Sequence, residues 1–240
     1  MKNVITLVML IISLHAINAQ YGKKVRGNGN VVTLERQTDD YDAITVGGFF
    51  DVTLIAGEEG KIILKGEDNI LSYIETEVKG GTLTIRPKNN TNLIPSRGES
   101  VTITIPVDQI DALRLSGSGK LISKKTLQSD QFKVHTSGSR NVELTIMSKS
   151  VIAISSGSSN INLSGTAKNI DVTSSGSSNL NAFGLKVDTI ALVASGSSNI
   201  NITVNKTMDS RVSGSGNVTY RGEPSIIKNK LSGSGSVSKD

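Results

Sequence analysis

The stretch that decides the fold is residues 155–163, SSGSSNINL, which returns as SSGSSNLNA at 174–182 and as ASGSSNINI at 194–202. Its Ser-Gly-Ser centre occurs seven times in the second half of the chain, at steps of 18 to 21 residues. The central glycines are Gly117, Gly138, Gly157, Gly176, Gly196, Gly214 and Gly233. A nearly constant period with the same turn residues at every step indicates stacked copies of one small structural unit.

The apolar residues of each copy keep fixed distances from its glycine. Four residues after the glycine, all seven copies carry a branched apolar residue: Leu121, Val142, Ile161, Leu180, Ile200, Val218 and Val237. The apolar columns fall at even distances and the odd positions are mostly polar, which is typical of strands with one buried face. The sequence therefore predicts an all-β fold, a single-stranded right-handed parallel β-helix (β-solenoid) with coils of 19–20 residues. A β-sandwich of hairpins is the alternative that regular strand spacing leaves open, and the identity of the columns favours the solenoid.

A polar column lies three residues after the glycine. Asparagine occupies it in five copies, as Asn141, Asn160, Asn179, Asn199 and Asn217. Stacked asparagines form hydrogen-bonded ladders and also tolerate turn conformations, and this structural role is the preferred interpretation. The functional alternative is a polar stripe that contacts a glycan or a protein, which Asn162, Asn181 and Asn201 would widen. These five asparagines are thus the predicted binding residues, if the chain has a binding face.

The chain divides into four segments by composition and pattern. Residues 1–19 resemble a signal peptide, because Lys2 precedes the apolar run 4–14 and Ala19 offers a small residue for cleavage. We expect an exported protein in the periplasm, on the cell surface or in the medium. The remaining segments are an N-terminal extension at 20–40, an irregular β segment forming the N-terminal part of the solenoid at 41–110, and regular repeats at 111–240.

The irregular segment still carries recognisable signals. Gly48 fits the repeat template as a diverged coil, with apolar residues at even distances on both sides. Residues 68–73 predict a short helical turn, and Gly80-Gly81 predicts a hairpin turn. Residues 89–100, rich in Asn, Pro and Gly, predict a loop.

Composition argues against several kinds of chemistry. The formal net charge is +5, yet the basic residues are dispersed and the chain has four Phe, four Tyr and no Trp, so we expect no nucleic-acid partner. The lack of cysteine excludes thiol catalysis and thiolate metal sites, and we expect neither a metal nor a cofactor. His135 is the sole imidazole after the signal peptide, and Asp171 and Asp209 share a column but lie two coils apart, about 10 Å at strand spacing. We therefore predict that the protein is not an enzyme.

The repeated phrases GSSNINL, GSSNLNA, GSSNINI and GSGNVTY resemble the head GIN domain, a family of auto-transporter adhesins of bacterial envelopes. Residues 49–87, FFDVTLIAGEEGKIILKGEDNILSYIETEVKGGTLTIRP, are similar to the N-terminal part of that family. The resemblance covers residues 40–238. It implies a right-handed β-helix similar to pectate-lyase-like folds and a role in cell adhesion, and it supplies no catalytic motif.

We accordingly expect an exported, non-catalytic β-helix protein that acts as a cell-adhesion or surface-binding head, with a polysaccharide or a surface protein as its partner. Two alternatives stay open: a polysaccharide-active enzyme of pectate-lyase-like fold, and a self-associating structural envelope protein. The last coil shows no capping helix, and Lys228, Lys230 and Lys239 lie within it. Its C-terminal end is therefore the predicted surface for homo-oligomers.

Overall fold

The computed structural model describes residues 22–240, so the predicted signal peptide lies outside the described residues. The elements are β1 (Lys23–Arg26), β2 (Val31–Gln37), β3 (Ala43–Val46), β4 (Asp51–Ala56), β5 (Lys61–Glu67), α1 (Asp68–Leu71), β6 (Ile74–Lys79), β7 (Thr82–Pro87), β8 (Thr91–Ile94), β9 (Thr102–Val107), β10 (Ala112–Gly157), β11 (Asn160–Gly176), β12 (Asn179–Gly196), β13 (Asn199–Gly214), β14 (Asn217–Arg221), β15 (Ile226–Gly233) and β16 (Ser236–Lys239). No helix between residues 22 and 240 is long and apolar enough to cross a membrane.

The strands from β10 onward wind a β-solenoid, which has about five turns. Each coil pairs with the next in parallel, and the central glycines pair in register from Gly157 through Gly176, Gly196 and Gly214 to Gly233. This register confirms the predicted solenoid and excludes a sandwich of hairpins for the repeats, because hairpins would pair antiparallel. Like residues lie above one another because every coil has nearly the same length.

The column four residues after the glycine forms one interior file. Val142, Ile161, Leu180 and Ile200 pair in succession, and each is at most 5% exposed. Beside this file, a polar corner is buried and satisfied by hydroxyl-to-hydroxyl bonds. Ser155 Oγ donates to Ser178 Oγ at 2.7 Å, and Ser174 Oγ donates to Ser198 Oγ at 2.8 Å. Small hydroxyl side chains therefore fill the narrow corner without leaving their own polar atoms unpaired.

Glycine is required at the centre of the triplet for two separate reasons. The φ angle of Gly138 is 97°, a conformation that costs other residues energy. A Cβ at Gly138 would also lie 2.3 Å from the carbonyl oxygen of Gly117 one coil below, and the same close approach repeats at Gly157 and Gly176. The repeated glycines thus let the backbones of successive coils stack at the corner.

The N-terminal segment begins the same stack and then departs from it. Leu113 pairs with Ile44 and Leu121 with Val52, so β3 and β4 form the diverged coil predicted around Gly48. Beyond this coil, β5 and β2 extend one face antiparallel, and β6 and β7 form the hairpin predicted at Gly80-Gly81. The predicted helical turn is α1.

The interval predicted as a loop at 89–100 contains a strand instead. Strand β8 pairs in parallel with β1 in a separate two-stranded sheet. Val25 and Leu93 are partners in this register and are each 7% exposed. One buried apolar pair therefore holds both short strands, a contact between distant residues that composition alone does not reveal.

A buried carboxylate ties the N-terminal turns together. Glu67 is 1% exposed and accepts hydrogen bonds from the Gly29 amide, the Ser96 amide and the Ser96 hydroxyl. Burial alone would raise the pKa of Glu67, but these three donors outweigh it and hold the pKa below its ordinary value. The ionised carboxylate is thus a structural acceptor for the turns around Gly29 and Ser96.

Candidate binding surface

The five asparagines of the polar column lie in one outward file, which we call the amide ladder (Asn141, Asn160, Asn179, Asn199 and Asn217). Parallel pairing places each directly above the previous one. From Asn160 onward, each Nδ2 donates to the Oδ1 of the asparagine one coil below, at distances of 3.0, 2.9, 3.1 and 3.3 Å. The hydrogen-bonded ladder expected from the column is therefore present, and its role in binding stays a prediction.

The amide groups of the ladder keep hydrogen-bond donors and acceptors that the ladder itself does not use. All five side chains are exposed. Within the ladder an asparagine uses one N–H and one lone pair, whereas a primary amide has two N–H donors and an oxygen with two lone pairs. The ladder consequently presents a row of donors and acceptors at strand spacing, about 4.8 Å apart.

A second outward file runs beside the ladder, two residues further along each coil. We call it the free file (Glu143, Asn162, Asn181 and Asn201), and its members pair in succession in the sheet. None of its carboxylate or amide groups has a hydrogen-bond or ion-pair partner among residues 22–240. These polar groups are therefore open to a ligand.

The free file borders a groove of about 590 Å³, called here the Phe183 groove. Its floor includes Thr145 and Ser164, whose hydroxyl oxygens are 2.9 Å apart. Phe183 and Arg221 line it as well, and the Arg221 guanidinium carbon lies 3.9 Å from the centre of the Phe183 ring. The groove thus combines an aromatic ring with free amides and a carboxylate.

A β-bulge explains why an aromatic side chain stands on this polar face. Between the pairs Asn162–Asn181 and Ser164–Gly184, β12 carries one residue more than β11. The next coil pairs Thr203 with Lys186, so it passes over 183–185 without partners for them. Bulges redirect side chains in this way and are frequent beside functional sites.

A buried arginine underlies the N-terminal end of this face. Arg140 occupies the column held by Ser159, Ser178 and Ser198 in later coils, and it is 0% exposed. Its guanidinium donates to the carbonyl oxygens of Gly48, Phe50 and Ser116 at 2.8 to 3.2 Å.

Burial lowers the pKa of Arg140 to about 10, an effect that the nearby Asp51 carboxylate opposes. The side chain therefore stays charged at neutral pH. It joins the second repeat to the first repeat through the Ser116 carbonyl and to the diverged coil through the Gly48 and Phe50 carbonyls.

Two of these features escaped the sequence interpretation. Arg140 interrupts the Ser-Gly-Ser-Ser phrase as SGSR, and Phe183 stands in a column that otherwise holds Thr145, Ser164, Thr203 and Arg221. The 20-residue step after Gly176, followed by one of 18, was the available sign of the bulge.

Carboxylates lie close together in a different place, at the turns before β3, between β4 and β5, and after β9. Asp40, Asp42, Glu58, Glu59 and Asp108 line a pocket there. Burial raises the pKa of Glu59, and the carboxylates of Asp40 and Asp42 add to the rise. Glu59 nevertheless accepts the Tyr41 amide at 2.5 Å, so its carboxylate holds the turn.

The other titratable residues considered from the sequence are not brought together. Asp171 and Asp209 lie on either side of Ala191, two coils apart as expected. His135 is half-buried on β10. In the part of the chain described, no group of three or more His, Cys, Asp or Glu residues is arranged to hold a metal ion.

A β-solenoid with a continuous file of amides on one outward face belongs to the class of repeat proteins that offer one extended polar surface. The family described as "Putative auto-transporter adhesin, head GIN domain" matches residues 40–224, and the chain belongs to this family. The resemblance found in the repeated phrases is thereby confirmed. Membership points to an exported or surface protein. No curated protein matches this sequence.

Solved structures of the same architecture come from Bacteroides and Parabacteroides species. A protein of Bacteroides fragilis described as a putative adhesin is 21% identical over 90% of this chain and 100% of its own, with a TM-score of 0.83. A putative lipid binding protein of Parabacteroides distasonis is 26% identical over 91% of this chain and 100% of its own, with a TM-score of 0.75. A putative adhesin of Parabacteroides merdae is 20% identical over 91% of this chain and 99% of its own, with a TM-score of 0.65. These likenesses establish the fold across nearly the whole described chain.

Proposed function

We propose that this protein is an exported, non-catalytic adhesion head that binds a polysaccharide or a protein of another surface through the face formed by the amide ladder and the free file. The observation that carries the proposal is the continuous row of exposed asparagines in the amide ladder, beside which the free file adds polar groups without a partner in the described chain. Family membership supports the same role, since the family is described as adhesins.

The geometry of the face suits a partner with a repeating structure. Amides recur in register over five coils, so a flat or fibrous partner would meet the same donors and acceptors at each step. Individually such exposed hydrogen bonds contribute little net free energy, roughly 0.5–1.5 kcal/mol each. Binding through this face would accordingly depend on several coils acting together.

Binding to surfaces coated with polysaccharides or with matrix proteins tests the proposal. We expect saturable binding by the unaltered protein and at least a tenfold loss in the triple variant Asn160→Ala, Asn179→Ala, Asn199→Ala. Asn169→Ala is the matched control, because Asn169 is an exposed asparagine of β11 outside this face. Full binding by the triple variant, with circular dichroism showing an intact fold, would contradict the proposal.

Self-association is the second candidate, and the last coil favours it. Every residue of β15 is exposed, and Ile226, Ile227 and Leu231 are 49%, 42% and 48% exposed. Unpaired strand edges with apolar side chains are ready templates for pairing with another chain. Lys228 and Lys230 form no ion pair among residues 22–240, so two such edges would repel each other at low salt.

Sedimentation over a range of protein concentrations tests this second candidate. We expect the mean mass to rise with concentration, more strongly at 0.5 M than at 0.05 M NaCl because salt screens the lysines, roughly within one Debye length of 10 Å at 0.1 M. Leu231→Asp should abolish the rise, while Met147→Asp, at an exposed apolar residue on another coil, should not. A constant monomer mass under all conditions would exclude the candidate.

The proposal that the protein is non-catalytic has a direct assay of its own. Uronate polymers incubated with the protein should release no unsaturated products. Measurable release, lost on Glu59→Gln or Asp171→Asn, would favour the polysaccharide-active enzyme instead.

A further inference from the structure

We infer that the Phe183 groove is a subsite for neutral saccharide units, an inference that rests on the proposed adhesive function and gives its ligand class. Carbohydrate rings carry an apolar C–H face and a rim of hydroxyl groups. A site for them therefore needs an aromatic surface next to amide or carboxylate groups. Ligand pockets commonly have this composition, with a few polar groups around an apolar wall. The groove holds both in one place.

The aromatic wall is formed by Phe183 and Arg221 together. The Phe183 carbonyl accepts a hydrogen bond from the Thr203 hydroxyl at 2.9 Å, and the Arg221 guanidinium lies against the ring. Arg221 Nε is in turn 2.6 Å from Asp240 Oδ2. The cation therefore has a carboxylate partner, and its guanidinium covers one face of the Phe183 ring.

The polar wall offers both kinds of hydrogen-bonding group. Asn162 and Asn181 lie in neighbouring coils and each contributes a free amide, while Glu143 one coil earlier contributes a free carboxylate. Amides donate and accept, and an ionised carboxylate accepts from hydroxyl groups. The three coils span about 10 Å at strand spacing, roughly the length of two pyranose rings.

The charges select among saccharides. Among the described residues that line the groove, Glu143 is a carboxylate without an ion-pair partner, and the one cation, Arg221, already pairs with Asp240. A uronate unit would meet like charge without a free cation to offset it. The groove consequently favours neutral hexose units over acidic ones.

Titration with neutral oligosaccharides of four to six hexose units, beside polygalacturonate oligomers of the same length, tests the inference. We expect saturable binding of at least one neutral series and no saturable binding of the acidic one. Phe183→Ala and the double variant Asn162→Ala, Asn181→Ala should each weaken binding at least tenfold. Asn169→Ala is the matched control, because Asn169 is an exposed asparagine of β11 outside this face, and it should change binding less than twofold.

Near-ultraviolet and far-ultraviolet circular dichroism of each variant separates loss of binding from loss of fold, and Phe183→Tyr should restore binding by replacing the ring. Binding that survives Phe183→Ala, or binding restricted to the acidic oligomers, would overturn the inference. If adhesion to coated surfaces persists while no neutral oligosaccharide binds, the saccharide subsite fails and the adhesive face stands. If both are absent, the proposed function fails with it.

Discussion

At the N-terminal end of the solenoid, α1 packs on β5 and β1 and buries Ile70 and Leu71, whereas at the C-terminal end Ile227 and Leu231 stay 42% and 48% exposed. The first end is covered by added elements. At the second end, polar residues replace apolar ones in the interior columns. The two ends show two different ways in which a stack of coils can stop without leaving an uninterrupted apolar surface.

The change at the C-terminal end is visible column by column. Four residues before the glycine, Leu192 is followed by Ser210 and then Asn229, and Ser210 Oγ donates to Asn229 Oδ1 at 2.7 Å. Six residues after the glycine, Ile202 is followed by Tyr220 and Lys239. Inward positions thus become polar over the last two coils, which limits how readily another chain can dock there.

The largest expected effect concerns the junction between the covered end and the repeats. Arg140→Ala should lower the free energy of unfolding by about 4 kcal/mol, because three carbonyl groups lose a charged donor at roughly 1–2 kcal/mol each. Urea denaturation measures the loss. Arg114→Ala, at an exposed arginine of the same strand, should change stability by less than about 0.5 kcal/mol. Equal effects of the two changes would show that Arg140 does not hold the junction.

The next largest effect is expected when a leucine is replaced by alanine at the N-terminal end of the solenoid and not at the C-terminal end. Leu71→Ala should cost about 3 kcal/mol, since Leu71 is 1% exposed and its removal leaves a cavity. Leu231→Ala should cost less than about 1 kcal/mol, because nearly half of Leu231 is already in water. Thermal and urea unfolding of the two variants side by side checks the difference. Similar losses would mean that the C-terminal end is packed as tightly as the N-terminal end.

A smaller effect depends on pH and belongs to the covered end alone. Glu67→Gln should lower stability at pH 7 by about 1–2 kcal/mol, because three donors lose an ionised acceptor. The pKa of Glu67 is lowered in the folded state, so its contribution is complete above the unfolded value of about 4.3 and disappears as pH falls through the folded pKa.

The gap between the two proteins should consequently begin to narrow once the pH falls below the unfolded value of about 4.3. Glu77→Gln, at an exposed carboxylate without a partner in the described chain, should show no such gap. A gap that stays constant with pH would contradict the assigned role of the carboxylate.

The substitutions with the smallest expected effect on stability should clearly increase self-association. The double variant Asn229→Leu, Lys239→Leu should change the free energy of unfolding by less than about 1 kcal/mol, since both residues are exposed. It restores apolar residues to two interior columns and should therefore increase the mean mass in sedimentation at equal protein concentration. A mean mass equal to that of the unaltered protein would show that polar columns do not restrain association at this end.

The sequence predicted the regular half of the fold almost completely and the ends only in part. An interior column repeats one apolar position in every coil. Val142, Ile161 and Leu180 therefore predict both the period of the solenoid and the buried face of its strands. Strand β8 has no repeated counterpart, and it is held by an apolar pair whose two residues lie far apart in the sequence. No local sequence pattern therefore predicts it. Its position depends on tertiary contacts.

The sequence likewise predicted one part of the candidate binding surface and not the other. The amide ladder followed from its column, because repetition reveals it. The Phe183 groove did not, since it arises from a change in coil length and from one aromatic residue among small ones. Departures from the repeat, such as Arg140 and Phe183, are where this sequence carries information that periodicity cannot supply.

The glycine-to-glycine register has a consequence for how such a protein can change its reach. Since each backbone corner stacks only on the corner beneath it, duplication of one 19-residue unit would add a rung without disturbing the neighbouring ones. Every such addition would lengthen the molecule by about 4.8 Å and append one more amide to the exposed row. The distance bridged between two surfaces, and the number of simultaneous contacts, could then be tuned by copy number.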